Sequence, residues 1–186
     1  AASEGGRMTR PTINETIMLV CDLHADQVDK LGAPYYFHPL RVMMRLGPDA
    51  DVVEKHAALL HDVLEDVAGA TANALRERGY PQSGIRLCDP LCRAQGATYP
   101  SFIELIISSP STSAMRIKLA DLYDNTNEER ALGASDAVRR QLADMAEKRY
   151  RPAIARLKLA LGPRTTTVIA GPISESITDM LNRERS

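Results

Sequence analysis

The chain has 186 residues, 44% of them hydrophobic, which suits one globular domain with a substantial core. Its 23 Lys plus Arg against 24 Asp plus Glu leave a formal net charge of −1. No single-sign field exists to hold nucleic acid or an anionic membrane non-specifically, so phosphate recognition must be local, built from a few placed cations and a metal. With no Trp and only 2 Phe, stacking platforms for single strands are poorly supplied. No apolar run approaches the roughly 20 residues that span a bilayer, and no signal-peptide core follows the start. Residues 1–7 read as a cloning remnant ahead of Met8 as the native start. Cys21, Cys88 and Cys92 are too few and too unevenly spaced for a disulfide framework or a zinc knuckle, and a reducing, cytoplasmic setting is the default.

The apolar pattern is helical nearly throughout, so the expected fold class is all-α. A first helix is predicted over residues 12–29, with Ile13, Ile17, Val20, Cys21, His24 and Val28 at helical spacing. Gly32 and Pro34 break it. A short helix is predicted from Pro39 to Leu46, since Pro suits a first turn, and Gly47 and Pro48 stop it. Residues 51–67 read as one strong helix with Val52, Val53, Ala57, Leu60, Leu64 and Val67 on a broad face. A turn and short helix follow over 69–79, then two more helices over 89–94 and 100–108. Another is predicted over 113–129, and a long one from Ser135, a good N-cap, to Leu161, with Pro152 able to kink it. Gly162 and Pro163 end that helix. The tail over residues 163–186 is Thr-rich, then weakly helical.

The stretch Ala57-Ala58-Leu59-Leu60-His61-Asp62-Val63-Leu64-Glu65-Asp66 runs apolar residues into ionisable ones within one predicted helix. His61 and Glu65 stand four residues apart, as do Asp62 and Asp66, and so stack on adjacent strips of one surface. Burying such groups unpartnered would cost several kcal/mol each, and a divalent cation is the economical way to satisfy them. Alone, the His–Asp pair fits a solvated polar face equally well. His38, directly before the expected helix-starting Pro39, would be rigidly held; singly, such a His is more often a cap or a satisfied core residue. Asp121 sits inside an apolar helical stretch with Asn125 one turn on; a lone helical Asp is more often exposed or paired with a Lys. Two imidazoles and two carboxylates without thiolate suit manganese, iron, magnesium or zinc at an open octahedral site.

The order of these motifs is that of the HD domain. Gly32-Ala33-Pro34-Tyr35-Tyr36-Phe37-His38-Pro39-Leu40-Arg41-Val42, the His61–Asp66 stretch and Lys118-Leu119-Ala120-Asp121-Leu122-Tyr123-Asp124-Asn125 resemble the hydrolase domain of the Rel/SpoT alarmone enzymes and the small alarmone hydrolases. The resemblance spans residues 19–130 and implies a single all-α HD bundle over residues 8–162. It implies one manganese ion held by His38, His61, Asp62 and Asp121, other divalent metals being possible. Glu65 and Asp66 would serve the attacking water and proton transfer. Glu65, one turn beyond His61, lies beside the metal without being obliged to ligate it. Lys30, Tyr35, Lys118 and Asn125 would contact the substrate, with a surface position as the alternative for Lys118.

The implied reaction is hydrolysis of the 3′-pyrophosphate of (p)ppGpp-like alarmones. The chain departs from the family at Asp29, where members place a base-stacking Arg, and at Leu122, where they often place a basic residue. A carboxylate at position 29 cannot stack on a base as a cation and repels phosphate, which opens an adenine analogue of the ppApp type as substrate. Too few residues follow the last long helix for the synthetase domain of a bifunctional enzyme. Two alternatives stand beside this reading: an HD nucleotidase or phosphodiesterase acting on other phosphorylated nucleotides, and a non-catalytic nucleotide sensor. The intact set of six site residues argues against the sensor.

Overall fold

The computed structural model describes residues 10–163 and residue 169. Helix α1 (Ile13–Leu23) opens on a capping box: Glu15 N donates to Thr12 Oγ1, and the Glu15 carboxylate accepts from Thr12 N at 2.7 Å. It is shorter than the predicted span, because the chain turns at His24 into a loop closed by the Asp29 carboxylate. One Asp29 oxygen accepts from Leu31 N and Ala33 N, and Gly32 takes the left-handed φ of +80° that the turn requires.

Helix α2 (Phe37–Arg45) begins two residues before Pro39, so His38 lies inside its first turn rather than ahead of it. A proline is tolerated there because the amide it lacks has no intrahelical partner anyway. The helix expected over 51–67 is two helices: α3 (Val52–Leu60), N-capped by Asp51, and α4 (Val63–Asp66). The interruption falls on His61 and Asp62, whose backbones remain right-handed. His61 Nδ1 donates to Ala58 O at 2.8 Å, competing for the carbonyl that the Asp62 amide would use in a regular helix.

Helices α5 (Ala72–Glu77) and α6 (Gln82–Cys88) follow, and a 3₁₀ turn (Asp89–Leu91) occupies part of the predicted 89–94 helix. Gly84 hides α6 from a propensity reading. It is buried against α3, where an added Cβ would already touch Val53 at 3.6 Å. Then come α7 (Tyr99–Ser108), α8 (Thr112–Asn125) and a 3₁₀ turn (Glu128–Ala131). Ser135 N-caps α9 (Asp136–Met145), and a π turn over Ala146–Tyr150 leads into α10 (Arg151–Leu161). The wide turn is how the chain absorbs Pro152, where a kink was expected. The tail beyond Pro163, apart from Ile169, lies outside the described residues.

Helix α3 packs against α1, α2, α6 and α8, and α8 packs in turn on α2 and α10. Unlike an amphipathic surface helix, α8 is buried on several faces, with Ile117, Leu119, Ala120, Leu122 and Asp124 all fully enclosed. Its carboxylates Asp121 and Asp124 are therefore buried in protein. Among the described residues there is no strand, only one isolated bridge between Val28 and Pro34. No helix among them is long and apolar enough to cross a membrane.

Candidate metal centre and substrate cleft

Three segments bring the predicted site together: α2 supplies His38, the α3–α4 junction His61 and Asp62, and α8 Asp121. The tautomers follow from the partners. His38 Nδ1 lies 2.7 Å from Asp124 Oδ2, and His61 Nδ1 lies 2.8 Å from Ala58 O. Asp124 is held ionised: burial opposes the charge, but His38, Arg41 and Arg130 bring its pKa down to about 2. Neither oxygen can donate, so both Nδ1 atoms carry hydrogen and both Nε2 atoms face forward. His38 Nε2 lies 3.2 Å from Asp121 Oδ1 and 3.6 Å from Asp62 Oδ2. His61 Nε2 lies 3.1 Å from Asp62 Oδ2, yet it is buried and makes no aligned hydrogen bond.

Two imidazole lone pairs and two carboxylates thus converge on one spot, which demands positive charge. Burial alone would drive protons off His38, but Asp121, Asp124 and Asp62 overcome it and raise its pKa to about 9. A divalent cation meets the same demand and gives the orphaned His61 nitrogen a partner. Donor atoms of His38, His61 and Asp62 all lie within 4.8 Å of one another, and Asp121 joins them through its contact with His38. The donor set fits a metal.

The carboxylates are held in place. The Tyr35 hydroxyl donates to Asp62 Oδ2 at 2.7 Å and reaches Asp66 Oδ2 at 3.4 Å. Burial and the facing Asp62 charge push the Tyr35 pKa far up, so it stays a donor. Lys118 Nζ pairs with Asp121 Oδ2 at 2.7 Å and sits over the Phe102 ring, and the Asn125 amide donates to the other Asp121 oxygen. Lys118 is therefore not a surface lysine. Glu65 accepts from Arg93 N at 3.4 Å. Partial desolvation, with Asp66 and Asp62 close by, raises the pKa of Glu65. That of Asp66 is raised too, first by desolvation and then by Asp62.

A cleft of about 440 Å³ opens over this centre. His38, Asp62, Asp121, Glu65, Asp66, Lys30, Tyr35, Lys118 and Asn125 all line it; His61 is the one predicted site residue not on its wall. At its rim Lys30 Nζ lies 3.3 Å from both Tyr150 OH and Met145 Sδ.

Sequence reasoning missed Asp124, Arg41 and Arg130. Asp124 is wholly buried behind His38 and accepts from Arg41 Nε at 2.7 Å and Arg130 Nη1 at 2.9 Å. Arg41 stands three residues after His38 on one helix face, a spacing that could have flagged it. The reading of Asp29 as a charge repelling phosphate is corrected. Its outer oxygen lies 2.6 Å from Arg130 Nη2, so the carboxylate is neutralised and serves the loop.

An all-α bundle with a His, His–Asp and Asp centre at the crossing of three segments has the architecture of an HD domain. No protein-family model matches the chain. It is 32% identical over 111 residues to the guanosine-3′,5′-bis(diphosphate) 3′-pyrophosphohydrolase of Aquifex aeolicus (strain VF5), covering 55% of this chain and 15% of that protein. It is 34% identical over 113 residues to the probable GTP pyrophosphokinase of Mycobacterium leprae (strain TN), covering 55% of this chain and 14% of that one. The chain thus spans about 15% of the length of these curated relatives. A solved structure of a metazoan ortholog of SpoT that hydrolyses ppGpp and plays a role in starvation responses superposes with a TM-score of 0.66. It covers 96% of this chain and 98% of its own at 22% identity, a likeness of fold. The resemblance to Rel/SpoT-type HD hydrolases drawn from the motifs is borne out by these matches, as is the all-α fold.

Proposed function

We propose that this chain is a manganese-dependent phosphohydrolase that removes the 3′-pyrophosphate of (p)ppGpp-like alarmones, guanine or adenine, releasing pyrophosphate and the ordinary nucleotide. The observation that carries this is the convergence of two imidazole lone pairs and two carboxylates at the floor of a cleft walled by Glu65 and Asp66. His38, His61, Asp62 and Asp121 would hold the ion, whose Lewis acidity makes water a competent nucleophile near neutral pH and polarises a phosphoryl oxygen.

The chain's own residues supply the rest. Glu65, restrained by the Arg93 amide, orients the attacking water and accepts its proton. Asp66, with its raised pKa and its tie to Tyr35, returns a proton to the leaving oxygen. Lys118 and Asn125 fix the Asp121 carboxylate and present their remaining polar surface to substrate. Lys30 at the rim meets phosphate or base. The Aquifex aeolicus relative is named a guanosine-3′,5′-bis(diphosphate) 3′-pyrophosphohydrolase and the metazoan ortholog hydrolyses ppGpp, which supports this choice of substrate.

The test is a manganese-supplemented assay of ppGpp, pppGpp and ppApp beside ordinary nucleotides, with products identified. Pyrophosphate release from the alarmones is the expected result. Orthophosphate release from simple nucleotides would replace this reading with a nucleotidase, and tight binding without turnover would replace it with a sensor.

A further inference from the structure

Behind the metal-facing edge of His38 stands a chain of ion pairs that the proposed reaction does not use. Asp124 has no exposed side-chain surface and receives His38 Nδ1 at 2.7 Å. Arg41 grips the same carboxylate with two nitrogens, Nε at 2.7 Å and Nη2 at 3.1 Å. Arg130 Nη1 then reaches both the Asp124 carboxylate and the Asp124 backbone carbonyl, each at 2.9 Å. Its other terminal nitrogen, Nη2, leaves this group and meets Asp29 Oδ2 at 2.6 Å. The second Asp29 oxygen holds the Leu31 and Ala33 amides at 2.8 and 3.0 Å, closing the turn that carries Lys30 to the rim of the cleft.

Arg41 alone compensates the Asp124 charge with a bidentate contact, so Arg130 is redundant for that purpose. What Arg130 adds is a bridge. Its planar fork spans two carboxylates that sit 95 positions apart in sequence, Asp29 and Asp124, and a flexible ammonium has no comparable fixed geometry. We propose that Arg130 is a positioning residue that couples the loop over residues 29–33 to His38, setting the substrate rim and the metal centre as one unit. Partners behind a metal-binding histidine govern its orientation and basicity, and a shared partner makes the loop part of that support. The same network explains Asp29: it gives up stacking on substrate and becomes the loop's end of the strap. The kinetic arm of the test rests on the function proposed above; the structural arms do not.

Three variants decide it: Arg130→Gln, Arg130→Lys, which keeps the charge without the fork, and Asp29→Asn, which keeps an acceptor for the two amides without the ion pair. Hydrogen exchange at the Leu31 and Ala33 amides is read on the full chain without metal, and manganese affinity by calorimetry with the metal alone. In Arg130→Gln the two amides should exchange faster, and manganese should bind about tenfold more weakly, the low end of effects from such supporting partners. Arg130→Lys, which loses the fork, should loosen the amides and weaken manganese much as Arg130→Gln does. Asp29→Asn should loosen the amides and weaken manganese to a smaller degree, whereas unchanged manganese affinity in all three variants would overturn the coupling. With ppGpp, Arg130→Gln and Asp29→Asn should each raise KM with a smaller effect on kcat, and the double variant should be no worse than Arg130→Gln. Unchanged amide exchange in both Arg130 variants overturns the proposal, as do KM effects that multiply in the double variant. Failure of every phosphorylated nucleotide to turn over would instead overturn the reading of function, while exchange and manganese binding still decide the coupling.

Discussion

Of the four buried histidines, His56 belongs to one polar cluster and His38 and His61 to another, and these two clusters behave differently. At one end Thr16 donates to Thr12 O at 3.1 Å, so its lone pairs are left to accept from His56 Nδ1 at 2.9 Å and Tyr80 OH at 2.8 Å. The Tyr80 ring meets the His56 ring edge-on. There a hydroxyl with both of its capacities used locks α1 to α3. In the cleft, by contrast, the forward nitrogens of His38 and His61 face carboxylate oxygens, and the His61 nitrogen has no aligned partner at all. A buried histidine is therefore no sign of chemistry in itself. What marks the cleft is acceptors turned toward acceptors, an arrangement that only a proton or a cation can hold together.

The comparison breaks most visibly at Asp62, which touches both imidazoles. Asp62→Ala should abolish manganese binding and turnover together, measured by calorimetry and by product release; a variant that stays active without metal would remove the basis for a metal centre. Glu65→Ala separates chemistry from binding. It should keep manganese affinity close to that of the parent protein while losing about 10²- to 10⁴-fold in kcat, the usual contribution of a positioned general base. Loss of the metal with Glu65 would make it a ligand instead. On the other side of the comparison, Thr16→Val should lower stability by about 1–3 kcal/mol, because it strands buried hydrogen-bonding groups on His56 and Tyr80. Denaturant unfolding reads that loss, and manganese affinity and kcat should not move. A fall in kcat at constant stability would show the two clusters to be connected.

Most of the centre was legible in the sequence because its parts lie at helical spacings within short motifs. His61 and Asp62 are neighbours in the chain, and Asp121 with Lys118 and Asn125 needed only one helix to come together. What was hidden depends on contacts across the fold. Asp124 stands in the Lys118–Asn125 motif with no role assigned from sequence, yet its carboxylate is what holds His38 from behind. Asp29 read as a repulsive charge because its partner, Arg130, lies about a hundred residues away. The break at His61 was equally invisible, since it arises where the imidazole takes its own helix's carbonyl, a choice that periodicity cannot register. Helix α6 was missed because Gly84, a poor helix former, is there to let α6 approach α3.

The smallest expected effect concerns charge without chemistry. Partial desolvation and the neighbouring Asp66 and Asp62 raise the folded-state pKa of Glu65 above its ordinary value. The ionised carboxylate is then penalised in the folded protein relative to the unfolded chain, while the protonated form is not. Any stability linked to its protonation is present below the unfolded pKa and lost as pH rises through the folded one. In the metal-free protein, Glu65→Gln should therefore stabilise the fold at neutral pH, and the advantage should vanish below the ordinary carboxylate range. The gain should stay under about 1 kcal/mol, because the side chain faces a solvated cleft and its repulsions are screened. Thermal melts of both proteins from acid to neutral pH measure it. A variant less stable than the parent at pH 7 would mean that Glu65 is held by attraction, with the Arg93 amide outweighing the acidic neighbours. In the manganese-loaded protein the sign should soften or reverse, since the added positive charge favours the ionised carboxylate. At the Thr16 cluster, Thr16→Val should cost the same stability with and without manganese, and that contrast separates the two regions without any assay of turnover.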